Sequence, residues 1–171
     1  MVSLLGDVED RGGVSLRSPD FEPGDRMPDF VGAANSNENP ELRIENVPEE
    51  AASLVLMFDD PDTEPSVGFT FTHWLVWNVD SDIGTIPRGW EPASAGATVG
   101  YNDLIEQSYA GPAPRSGEHT YRFKVLALAD ELTVPPEARK TILDFRIGTD
   151  SEVLGSSQLV GRFHPSQGTP E

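Results

Sequence analysis

The chain has no cysteine and only two lysines, Lys124 and Lys140. Without cysteine there is no disulfide, no thiolate nucleophile and no Cys-ligated zinc or iron–sulfur centre. Basic residues are scarce throughout: 12 Lys plus Arg stand against 29 Asp plus Glu, a formal charge of −17. A nucleic-acid partner needs a basic footprint, and an anionic membrane surface needs one too, so both are excluded as main partners. Long hydrophobic runs are also missing. The longest, Leu54–Phe58, is far short of the ~20 residues that span a bilayer, so no membrane insertion is expected. The N-terminus shows neither a basic region nor an apolar stretch of the secretory kind, and a cytoplasmic location is the expectation. GxGxxG, Walker A, HExxH and GxSxG patterns are absent, and no cofactor is implied.

The 171 residues suit one domain. Acid is spread from Asp7 to Glu171 and not gathered in a tail. Many carboxylates with few lysines fit the solvated surface of a halophilic, for example archaeal, protein, because self-repulsion fades when the Debye length shrinks to ~3 Å at 1 M salt. An ordinary acidic cytosolic protein is the plainer alternative.

Gly and Pro are plentiful, at 16 and 15, and punctuate short β patterns. Weak strand patterns fall at Val2–Leu5, Val14–Leu16 and Glu41–Val47, with an irregular stretch over 21–40. Three stronger strands follow. Ser53–Asp60 carries Leu54, Leu56, Phe58 and Asp60 in phase. Phe69–Val79 carries Phe69, Phe71, His73, Leu75, Trp77 and Val79 on one face and Trp74 and Val76 on the other, as in a strand buried on both sides. His119–Ala129 carries His119, Tyr121, Phe123, Val125 and Ala127. Pro135–Pro136 reads as a helix start, with Ala138, Ile142 and Phe145 as its apolar face and Gly148 as its stop. Gln158–Phe163 is a last strand before a polar tail. Many strands and few helices predict a mainly β protein, an antiparallel β-sandwich with a few peripheral helices.

Asp60, His73 and His119 each lie at or near a strand end, in phase with apolar neighbours. A hairpin through 61–68 puts the end of the first strand beside the start of the second. If the third strand is also antiparallel to the first, His119 joins them. Any one of these residues has a bland reading: a hydrogen-bonded core histidine or a turn-starting aspartate. Their convergence among aromatics instead describes a small pocket with a few polar groups. A carboxylate beside an imidazole fixes its tautomer and favours its cation. Two such rings with backbone N–H groups can hold a small oxyanion. The carboxylate repels a dianion, so the ligand should be a monoanion or a hydrogen-bond donor at that oxygen, and an ammonium group on the ligand could also face the acid. A two-His-one-carboxylate metal centre, and hence an enzyme, is the other chemistry these residue types allow.

The stretch LVLMFDDPDTEP from Leu54 to Pro65 resembles the DPDxP motif of the phosphatidylethanolamine-binding proteins. HWLVWN from His73 is similar to the histidine-led strand that follows it. GPAPRSGEHTY, Gly111 to Tyr121, resembles GPxPPxGxHxY, and LVGRF, Leu159 to Phe163, resembles the ending of the prokaryotic Raf kinase inhibitor-like branch. The resemblance covers about 14–164, one domain with short extensions. It implies a Greek-key sandwich with an anion pocket at one end of the large sheet. The positions it carries over are Asp60, Asp62 and Pro65 from the first motif, His73 from the second, and Gly111, Pro112, His119 and Tyr121 from the third. The ligand it implies is phosphate or a phosphoethanolamine headgroup, held without catalysis. Inhibition of a kinase or protease through the loop Ala110–Gly117 is the alternative, and a homodimer is a further expectation. No C-terminal helix of the eukaryotic kind is read from the sequence.

Overall fold

A computed structural model describes residues 4–165. Eight strands form two antiparallel sheets. The small sheet is β1 (Ser15–Arg17), β2 (Leu42–Glu45) and β5 (Thr85–Ile86), in the order β1-β2-β5. The large sheet has the order β6-β4-β3-β7-β8. Its members are β3 (Ser53–Asp60), β4 (Phe71–Val79), β6 (Thr98–Val99), β7 (His119–Leu128) and β8 (Val153–Phe163). The chain leaves β4, crosses to the small sheet and back, then lays β7 along the free side of β3. This is a Greek-key return.

Two apolar layers hold the sheets. Leu16, Leu42, Ile44 and Ile86 of the small sheet meet Leu54, Leu56, Phe58, Trp74, Val76, Phe123, Val125 and Leu159 of the large one. The other face of the large sheet, with Val55, Met57, Leu75, Trp77, Leu126 and Leu128, is covered by Leu5 and by Leu143 and Ile147 of a helix. Every residue of β3 is buried: Leu54–Phe58 as their unbroken apolar run dictates, and Ser53, Asp59 and Asp60 with hydrogen-bond partners. Each fully buried Leu, Val or Phe contributes about 1.5–3 kcal/mol.

Several boundaries depart from the sequence pattern. Of Val2–Leu5, Val2 lies outside the described residues; Leu4 and Leu5 form a bend, not a strand. The polar tail beyond 165 also lies outside them. The loop 61–68 is a 3-10 turn, Pro61–Thr63, running into a one-turn helix α1 (Glu64–Val67). The main helix, α2 (Lys140–Asp150), starts after the two prolines and runs past Gly148. It buries Leu143 and Ile147, leaving Ile142 and Phe145 about half exposed. Leu143 and Ile147 are an i, i+4 pair, and the core selected that pair over the one containing Phe145.

The phase of β4 is also corrected. A register shift between Phe58/Trp74 and Asp59/Thr72 leaves His73 as the extra residue of a bulge. His73 and Trp74 therefore both reach the layer between the sheets, and His73 does not share a face with Leu75 and Trp77. A second shift, next to Asn78 at φ 55°, returns Val79 to the inner layer.

The outer face carries a buried charge cluster that the residue pattern does not disclose. Asp59 Oδ2 lies 2.6 Å from Lys124 Nζ, and its Oδ1 lies 2.8 Å from Arg122 Nε. Lys124 also donates to the Leu5 carbonyl at 2.7 Å. Burial pulls the Lys124 ammonium down from 10.5 to about 8, against the opposing pull of Asp59. Above pH 8 the unfolded lysine keeps a proton that the folded one loses, so stability should rise with pH there. Denaturant titrations at pH 8 and about 9.5, below the range of tyrosine ionisation, should show the rise in the wild type and lose it in Lys124→Met. An equal rise in the variant would assign it to other groups.

Among the described residues no helix is long and apolar enough to cross a membrane.

Candidate functional site

β3 pairs antiparallel with both β4 and β7, so the C-terminal end of β3 lies beside the N-terminal ends of its two neighbours. That places Asp60, His73 and His119 at one end of the large sheet, as the strand pattern anticipates. Asp60 is 2% exposed, yet it is not an unpaired buried charge. Its Oδ1 accepts the Asp62 N–H at 2.8 Å, and its Oδ2 lies 2.6 Å from His119 Nδ1. The carboxylate orients the ring by accepting from Nδ1–H, which leaves Nε2 as the histidine's free nitrogen. Asp62 has a positioning role: its Oδ2 accepts the Thr120 N–H at 2.8 Å. The aspartates of the DPD motif thus clamp the turn after β3 onto the start of β7.

His73 is 6% exposed. Its Nδ1 donates to the Ala110 carbonyl at 2.8 Å, and the Ala110 N–H donates back to the His73 carbonyl at 3.0 Å. Burial lowers its pKa below 6.5, with Ala110 and then Asp60 opposing. The neutral tautomer with a proton on Nδ1 presents an acceptor at Nε2. Aromatic rings enclose it: Phe71 at 4.9 Å, Tyr121 edge-on at 5.5 Å and Phe58 at 5.6 Å. Tyr121 is itself 1% exposed. Burial holds its phenol protonated, and the charge of Asp60 and a hydrogen bond to it act in the same direction.

Gly111 and Pro112 form the wall between these strands and the 31–37 loop. The Gly111 N–H donates to Asn37 Oδ1 at 2.7 Å, and the Pro112 carbonyl accepts from the Ala33 N–H at 3.0 Å. The Gly111 N–H is therefore already committed, and proline has none, so neither residue supplies the backbone donor that an oxyanion would use. In the loop Ala110–Gly117, residues 110, 111, 112 and 114 are buried, while Arg115, Ser116 and Gly117 are exposed. Pro65 stands exposed at the start of α1, and no hydrogen bond or ring contact of the cluster includes it.

Asn37 was not legible as a site residue, because its partner is a backbone group 74 positions away. Tyr109, stacked on Phe58 at 5.7 Å, could have been suspected from its place two residues before Gly111. The two-His-one-carboxylate metal centre is not formed. Asp60 Oδ2 is turned to His119 Nδ1, and among the described residues no group of three His, Cys, Asp or Glu side chains could hold a metal ion. The cavities of about 340, 920 and 240 Å³ are lined by other residues.

Comparison with known proteins agrees with this geometry. The family model described as phosphatidylethanolamine-binding protein matches residues 17–164. A UPF0098 protein of Methanothermobacter thermautotrophicus is 33% identical over 153 residues, covering 88% of this chain and 98% of its own. A UPF0098 protein of Aquifex aeolicus is 32% identical over 151 residues, covering 85% of each chain. Among solved structures, a phosphatidylethanolamine-binding protein homologue from Chlamydia trachomatis superposes with a TM-score of 0.83 at 26% identity, over 91% of this chain and 99% of that one. E. coli YbcL superposes with a TM-score of 0.79 at 20% identity, over 93% and 100%. With the motifs in order, the sandwich formed and the family model spanning β1 to β8, this chain belongs to the phosphatidylethanolamine-binding protein family.

Proposed function

We propose that Asp60, His73 and His119 bind a small phosphate-type monoanion, either a free phosphate ester or a phosphoethanolamine headgroup, as a non-catalytic binding module. The observation that carries this reading is the 2.6 Å His119–Asp60 pair beside a neutral, buried His73. When protonated, His119 balances Asp60 and donates from Nε2 to a ligand oxygen. Among the described residues no further cation joins the cluster, so a second negative charge on the ligand would go uncompensated. A ligand hydroxyl can instead donate to Nε2 of His73. Tyr121 and Phe71 wall the site and limit competing water.

The chain's net charge of −17 repels anions at long range, so recognition must be local. The same acidic surface, poor in lysine, supports a cytoplasmic protein working in concentrated salt. Titration with inorganic phosphate and with phosphoethanolamine, followed through the imidazole NMR signals, tests the site. Both His73 and His119 signals should shift at millimolar ligand. His119→Ala should weaken binding at least tenfold, about 1.4 kcal/mol. Affinity should hold or rise as non-competing salt screens the surface acid. Unmoved imidazoles at millimolar ligand, or a steep loss of affinity in such salt, would overturn the local-pocket account.

A further inference from the structure

Neither His73 nor His119 lines a second concave region on the same sheet. A cavity of about 340 Å³ opens between β4, the 37–39 loop and the turn at 89–93. Trp74 is its floor. Trp90 meets Trp74 at 79° with centroids 6.3 Å apart, and Tyr109 meets it at 89° and 5.4 Å. Two rings thus stand nearly perpendicular to a third, and with Trp74 1% exposed the accessible aromatic walls of this box are Trp90 and Tyr109. No lysine or arginine lines the cavity, while Glu38 and Glu91 do. Arg88 contacts Glu38 at 2.8 Å from outside the cavity and rests on the Phe30 ring at 3.7 Å. The Glu91 carboxylate has no ion-pair or hydrogen-bond partner among the described residues.

From this arrangement we infer a binding site for a small organic ammonium ion. Aromatic faces attract a cation through their quadrupoles, and the attraction grows as the cation is desolvated. A metal cation would seek a shell of oxygen ligands, and among the described residues no group of three His, Cys, Asp or Glu side chains could hold one. A methylated ammonium is weakly hydrated, apolar in outline and positive, which matches the walls and the rim together. The volume suits a ligand of that size. The box is also fixed in advance. The Trp90 backbone N–H donates to Asn39 Oδ1 at 2.9 Å, and the Tyr109 hydroxyl donates to the Val31 carbonyl at 2.9 Å. Asn39 is 1% exposed and spends its amide on the Pro40 and Pro87 carbonyls. Little ordering is left to be done on binding. The acidic field of the whole chain, an obstacle at the histidine site, raises the local concentration of cations here.

The test uses choline and its neutral isostere, in which carbon replaces nitrogen, on the full chain. Indole NMR signals report binding at the box, and the imidazole signals report the other site. Choline should bind at millimolar concentration, shift the Trp90 and Trp74 indoles, and exceed the isostere by about tenfold. Trp90→Ala should abolish that binding. Glu91→Gln, an exposed change with no risk to folding, should weaken it several-fold. His119→Ala should leave it unchanged, so the two sites fail or stand separately. Equal binding of the isostere, indoles that do not respond, or an unaltered affinity in Glu91→Gln would overturn the proposal.

Discussion

Asp59→Ala should lower the unfolding free energy by about 3–5 kcal/mol, the cost of breaking a buried ion pair from one side. Asp59 and Lys124 are both fully buried, and Arg122 is nearly so. The carboxylate receives Lys124 at 2.6 Å and the Arg122 guanidinium at 2.8 and 2.9 Å. Removing it leaves the fully buried Lys124 without a counter-ion, and leaves Arg122, 13% exposed, with only the exposed Asp7 at 3.8 Å. The same physics predicts that removing the whole cluster is harmless. A triple variant with Asp59→Leu, Arg122→Met and Lys124→Met should match or exceed the wild type, because replacing a buried ionic cluster by apolar groups of similar size is neutral or gains about 1–4 kcal/mol. Denaturant titration of the single and triple variants checks both statements. A loss under about 1 kcal/mol in Asp59→Ala would mean that water reaches the cluster.

The consequence for the site is geometric. Asp59 and Asp60 are consecutive and point to opposite faces of β3. Asp59 ties β3 to β7 from beneath, through Arg122 and Lys124. Asp60 ties the same two strands from above, through His119. The position of the histidine thus depends on a strand pairing that is pinned from both sides.

This doublet also shows what a sequence can and cannot disclose. Asp60 was legible because it follows Phe58 in period 2 and opens a Pro-Asp turn. Antiparallel pairing then brings it to His119, and both bonds are formed. Asp59 was opaque, since a carboxylate next to a strand end reads as solvated surface. Its partners, Arg122 and Lys124, lie 63 and 65 positions away on what looks like a polar face. A hint was available: one of only two lysines in the chain stands inside a strand that is apolar on its other face. The phase error in β4 has a similar origin. Strict alternation assigns His73 to the side of Leu75 and Trp77, and a bulge, which leaves no mark in the residue pattern, moves it to the other. The helix was displaced because its core-facing pair is chosen by the sheet it packs on, not by its own periodicity.

Gly111→Ala should lose anion binding altogether and destabilise the fold by about 3 kcal/mol, the upper part of the range for overpacking. A Cβ at residue 111 would lie 2.1 Å from the Val31 carbonyl oxygen, 2.8 Å from the Ala33 nitrogen and 2.9 Å from Asn37 Oδ1. The first two are backbone atoms, which cannot swing aside as a side chain would. The loop must therefore lift, and Ala110 lifts with it. Ala110 is the residue that holds His73 Nδ1 and closes the ring off from water. Once it moves, His73 loses its burial, the first cause of its depressed pKa, and its titration should move up toward the ordinary 6.5. In the wild type the unfolded histidine takes up a proton that the folded one refuses, so stability falls as pH drops through 6.5. Gly111→Ala should flatten that dependence as well as weaken the fold. Phosphate titration and an imidazole pH titration on the same sample separate the causes. Binding lost with His73 still titrating low would place the damage in the wall alone. Binding retained with a shifted His73 would show that the ligand does not use this ring.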